Sequence, residues 1–121
     1  MRVLITRPEE DAKPLAEMLQ QRGHETILSP LMKIRFCDGP EVPLKGVQAI
    51  VATSANAIRA LQRRTTRRDV PLFAVGAHTA KAALAADFID VRQGPGDGQA
   101  LAIFVREAAD PASGPLLWVA G

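Results

Sequence analysis

Short apolar runs alternate with stretches of helical period along most of the chain. Val3-Leu4-Ile5 reads as a strand stopped by Thr6-Arg7-Pro8, and a helix follows over about Asp11 to Arg22 with Leu15, Met18 and Leu19 on one face. On those bounds Pro14 falls in the first turn, where a missing N–H costs little. Gly23 ends the helix, and Thr26-Ile27-Leu28 makes a second strand closed by Pro30. From Met32 to Leu44 no period is sustained. Asp38-Gly39-Pro40 and Pro43 are turn chemistry, and this stretch reads as a linker.

The rhythm then resumes. Ala49-Ile50-Val51-Ala52 is a buried strand, and Ser54 to Arg63 a helix carrying Ala57, Ile58 and Leu61. Leu72-Phe73-Ala74-Val75 is a strand, Ala77 to Ala86 an alanine-rich helix, and Val91 marks a short strand. A helix from Gly98 to Glu107 turns Ala100, Leu101, Phe104 and Val105 inward, and Leu116-Leu117-Trp118-Val119 is the last strand. Apolar strands alternating with helices at this spacing predict an α/β fold, a parallel sheet with helices on both faces. The sequence stops at Gly121 with no helix after that strand, so the pattern leads us to expect a chain cut short.

Composition narrows the class. At 121 residues, 47% hydrophobic and 23% charged, the chain can bury a core and is not disordered. No apolar run approaches the roughly 18 residues of a membrane span, and Met1-Arg2 leads into a strand without a signal-peptide core. Cys37 is the only cysteine, and no Cys/His group has zinc spacing, so no metal is expected. A cytoplasmic protein is the default. Net charge is +2, too small to imply nucleic acid, and 4% aromatic content without tyrosine leaves few platforms for stacking bases.

In open α/β sheets ligands bind beyond the carboxyl ends of the strands. Here those ends read Thr6-Arg7-Pro8, Thr53-Ser54-Ala55-Asn56, Gly76-Ala77-His78-Thr79 and Gly94-Pro95-Gly96-Asp97-Gly98. Each runs into a helix N-terminus, whose free N–H groups and positive dipole end favour anions. Small residues admit a ligand close to the backbone, hydroxyls donate, and Arg7 offers a bidentate clamp for carboxylate or phosphate.

Plainer readings stand beside these. Ser54 is more often a helix cap than a ligand contact, and Thr79 can be a satisfied first-turn hydroxyl. The glycine run fails the dinucleotide fingerprint because Gln99 holds the third glycine position, and no Gly-Lys-Ser/Thr makes a P-loop. The basic run Arg59, Arg63, Arg64, Arg67 and Arg68 suits a solvated helix end better than a contact for nucleic acid or an anionic substrate. A receiver domain would need acidic residues where Thr6-Arg7 stands.

Taken in order, Thr6-Arg7-Pro8, Val51 to Asn56, Ala74-Val75-Gly76 with Thr79-Ala80, Gly96-Asp97-Gly98 with Ala100-Leu101, and Trp118-Val119-Ala120-Gly121 resemble the uroporphyrinogen-III synthase family across the chain. The resemblance implies two flavodoxin-like lobes on a chain roughly twice this long. Residues 1–35 would then be the opening strand–helix–strand of lobe one, and 36–121 lobe two without its closing helix and strand. The implied reaction, in haem biosynthesis, closes hydroxymethylbilane to uroporphyrinogen III with loss of water and inversion of ring D, without cofactor or metal.

By position, Thr53, Ser54, Ala55, Asn56, Gly76, Thr79 and Gly98 would hold acetate and propionate groups, with Arg7 facing them from lobe one. The family's candidate proton donor is a tyrosine in the later part of its chain; this sequence has no tyrosine, and its catalytic residue stays unassigned. Two functions are open: this synthase, or a non-catalytic α/β module binding an anionic ligand or a protein partner. An exposed sheet edge also predicts self-association, with residues 1–35 exchanged between copies.

Overall fold

Parallel strands joined through helices make up both sheets of the computed structural model, which describes residues 1–120 and divides into two units, Met1–Phe36 and Cys37 onward. The first unit is a single βαβ turn. Strand β1 (Arg2–Ile5) pairs in parallel with β2 (Glu25–Leu28), and α1 (Glu9–Gln21) connects them. Val3 and Ile5 pack with Ala12, Leu15, Ala16 and Leu19 of the helix, positions spaced three and four apart along one stripe. Met18, expected on that stripe, is 45% exposed, because the small Ala12 and Ala16 form the buried side and draw the helix close to the strands.

Helix α1 also starts earlier than its apolar pattern predicts. Glu9, Glu10 and Asp11 fill its first turn, where carboxylates complement the positive end of the helix dipole. The amides of Asp11 and Ala12 already bond to Pro8 O at 3.0 and 2.9 Å. Pro14 therefore lies beyond the first turn, inside the helix.

The second unit contains a four-stranded parallel sheet of order β5–β4–β3–β6. Its strands are β3 (Ala49–Ala52), β4 (Leu72–Ala74), β5 (Val91–Gln93) and β6 (Leu116–Val119). Helices α2 (Ala55–Gln62), α3 (Ala77–Ala85) and α4 (Gly98–Ala108) alternate with them, and a short 3-10 turn at Pro111–Ser113 precedes β6.

Alternation along the strands splits this core in two. Ile50, Ala52, Leu72 and Ala74 pack with Ile58 and Leu61 of α2 and with Ala80 and Ala83 of α3. Ala49 and Phe73 point the other way, to Leu101 and Val105 of α4. The chain steps outward from β3 to β4 to β5, then crosses back to place β6 on the far side of β3. With right-handed crossovers that reversal puts α4 on the opposite face from α2 and α3, so helices cover both faces as expected.

Part of the basic run is bound back to the chain, while Arg63 and Arg67 stay exposed. Arg64 Nε donates to Pro40 O at 3.0 Å and Arg67 Nη1 to Leu44 O at 3.1 Å, fastening the segment before β3. Arg68 donates to Ala86 O and Thr65 O, both at 2.7 Å, and its guanidinium lies 5.1 Å from the centre of the Phe88 ring. These three cations serve as clamps on the chain's own carbonyls. Arg67 also pairs with Asp69, and this hydrogen bond holds the Asp69 carboxyl below its usual range. No helix is long and apolar enough to cross a membrane among the described residues.

Candidate functional site

All four strands of the larger sheet run the same way, so their carboxyl ends open on one edge. Backbone hydrogen bonds continue past the strands and tie the loops there together. Thr53 N donates to Val119 O at 3.3 Å, Val75 N to Ala52 O at 3.1 Å, Gly94 N to Ala74 O at 2.7 Å and Gly96 N to Val75 O at 2.6 Å. The strand order reverses between β3 and β6, and the crevice at such a reversal is where α/β sheets hold ligands. The Thr53–Val119 bond spans it.

Three helix N-termini converge on this edge and differ in how they are capped. Ser54 caps α2, its Oγ accepting from Ala57 N at 3.0 Å. Asp97 caps α4, its Oδ1 accepting from Ala100 N at 2.8 Å. Gly76 precedes α3 and has no side chain to cap it, which leaves the first-turn amides of that helix to solvent or an anion. Its place is set by contact, since a Cβ on Gly76 would sit 3.3 Å from the Cα of Gly96. Two glycines facing one another let the β4–α3 and β5–α4 loops pass at backbone distance.

The expected site residues fall into distinct environments. Thr53 and Ser54 are half-buried at the reversal, and Ala55 is buried behind them. Asn56 Oδ1 accepts from Arg59 Nη1 at 2.7 Å, so part of its hydrogen-bonding capacity is used within α2. Gly76 and Gly98 lie at the open edge, Gly98 exposed as the first residue of α4. Thr79 is 4% exposed, turned from the opening into the packed side of α3. The burial reflects helical spacing, because Thr79 shares its face with Ala80 and Ala83. Arg7 is exposed in the turn after β1 and belongs to the other unit.

Sequence reasoning missed Asp97 as a cap and Gly94 and Gly96 as the residues that shape the loop. Their signal was present in Gly94-Pro95-Gly96-Asp97-Gly98. Asp directly before a helical period is a capping pattern, and Gly96 adopts φ +99°, a conformation that glycine takes without strain. The titratable side chains on the three loops are His78 and Asp97. No group of three or more His, Cys, Asp or Glu side chains fit to hold a metal ion occurs among the described residues.

A family profile described as uroporphyrinogen-III synthase HemD matches residues 13–121. The chain belongs to the uroporphyrinogen-III synthase HemD family. The match covers the whole four-stranded sheet, all three of its helices and the strand-end loops of that sheet. It begins within α1, so β1 and Arg7 precede the matched residues. No curated protein matches the chain. Membership in the uroporphyrinogen-III synthase family connects this α/β chain with tetrapyrrole biosynthesis.

Proposed function

We propose that the chain takes part in closing hydroxymethylbilane to uroporphyrinogen III, binding the acetate and propionate groups of the bilane along the carboxyl edge of the four-stranded sheet. The observation that carries this reading is the convergence of three helix N-termini on one edge, one of them uncapped, in a chain of this family. Amides fixed by folding offer many donors to a polyanion without the desolvation that a cluster of buried cations would cost.

In this reading the α3 first turn at Gly76 takes one carboxylate by backbone alone. Thr53 N is spent on Val119, so Thr53 and Ser54 contribute hydroxyl donors at the reversal, while Asn56 contributes its amide NH2. Gly98 lets the bilane approach the loop before α4. The contribution to rate is positional: a flexible linear tetrapyrrole must be held with its terminal rings in reach before the hydroxyl leaves. Loss of that hydroxyl calls for an acid, and His78 and Asp97 are the titratable groups on these loops.

The test uses the purified chain with fresh hydroxymethylbilane and separates the type III from the type I product. The bilane closes spontaneously to type I, so type III above background reports catalysis. Type I alone, with saturable binding of the bilane, would support the second reading, an α/β module that binds the anion without turning it over. That reading draws on the lack of tyrosine, the residue type that the family resemblance offers as proton donor. Neither turnover nor bilane binding would overturn both.

A further inference from the structure

Asn56 and Arg59 stand three residues apart on α2, and Arg59 Nη1 donates to Asn56 Oδ1 at 2.7 Å. On a solvated helix face such a pair adds a little helix stability and nothing more. Here both side chains are half-buried, and Asn56 is the second residue of the helix, at the carboxyl edge of the sheet.

Arg59 opens the basic run but reaches back along its own helix. It lies in the last turn of α2, where the dipole favours a cation near the carbonyl end. A helical side chain leaves its Cα tilted toward the N-terminus, so a long one extends over the preceding turn. The guanidinium takes that course to Asn56. A positive group is thereby carried toward the end of α2 that meets the strand-end loops.

An asparagine amide has two unlike edges. Its oxygen only accepts and would repel a carboxylate, whereas its NH2 donates and would bind one. The terminal torsion that exchanges them is soft. A guanidinium has donors and no acceptor, so it engages the Asn56 amide through Oδ1 alone. With Oδ1 held toward Arg59, the NH2 faces the other way and has no hydrogen-bond partner among the described residues. A charged donor on the oxygen also polarises the amide and strengthens its N–H groups as donors.

We propose that Arg59 is a positioning residue, which locks Asn56 with its NH2 outward so that the amide receives a carboxylate of the bilane. The inference rests on the assignment of the strand-end loops to the bilane, and adds to it the residue that sets the polarity of one contact.

The probe is uroporphyrin III, a stable tetrapyrrole with the same acetate and propionate groups. It is titrated into the whole chain while the emission of Trp118, the only tryptophan, is followed. Asn56→Ala is expected to weaken binding about tenfold. Arg59→Met should cost a similar factor when Asn56 is present and less than about twofold once Asn56 is alanine, because its effect passes through the amide. Equal losses in the two backgrounds would make Arg59 an independent charge and overturn the proposal.

Nitrogen-15 NMR of the native chain supplies a readout that no substitution disturbs. The side-chain NH2 signals of Asn56 should shift on addition of uroporphyrin III, and an unshifted pair would also overturn the proposal. If the Gly76 and Ala77 amides shift in that same titration, the bilane site stands and only the role of Arg59 falls. Absence of saturable binding by the native chain would remove both.

Discussion

Gly94 shows how much one missing side chain can decide. A Cβ there would stand 2.7 Å from Leu101 Cδ1 and 3.1 Å from Ala74 O. The first neighbour is a core side chain of α4 and the second is the carbonyl that anchors the loop, so neither can retreat cheaply. Gly94→Ala is expected to cost about 1–3 kcal/mol, as overpacking does, seen as a lower midpoint of urea unfolding. In the sequence this glycine reads as part of a turn or a ligand loop. Its packing role became visible only when α4 folded back over the strand end. The arginines teach the same lesson, for their spacing resembles a solvated helix end while three of them are held by carbonyls up to 24 residues away in the chain.

At the scale of the element, caps divide the three helices into two fixed ends and one receptive one. Ser54→Ala removes the α2 cap and is expected to destabilise the second unit by about 1 kcal/mol. Helix α3 behaves differently, because nothing caps it. Ala77→Glu places a carboxylate in its exposed first turn, which should leave stability unchanged or raised by about 0.3–1 kcal/mol. The same carboxylate repels those of the bilane, so binding should weaken about tenfold or more. Thermal unfolding and bilane titration on the same variant separate these effects. Unchanged bilane affinity would remove α3 from the proposed site.

For the molecule as a whole, the contrast between the two units matters most. The first buries Ile5, Ala12 and Ala16, whereas the second buries two clusters on either side of a four-stranded sheet. Two strands with one covered face are marginal alone, and Leu4 and Ile27 on the other face of β1 and β2 are 59% and 45% exposed. Amides of β1 and β2 are expected to exchange about tenfold faster or more than those of β3 and β4, which hydrogen–deuterium exchange measures. We propose that the self-association expected from an exposed sheet edge runs through β1 and β2, with a second copy supplying further strands. Ile27→Lys should then abolish it in sedimentation experiments without altering Trp118 emission.

The sequence by itself determined the element types and their order, the parallel α/β class and the family. Each rests on local periodicity, on turn residues, or on motifs a few positions long, and these signals survive without knowing which elements touch. The start of α1 departed from the pattern because its acidic first turn carries no apolar period. Tertiary structure decided what depends on distant segments meeting. It turned Thr79 inward, set the Ser54 hydroxyl oxygen to cap its own helix, opposed Gly76 to Gly96, and left Trp118 exposed on the α4 side of β6. Helical phase and strand register set those outcomes together, and a residue's own neighbours in sequence carry only half of that information.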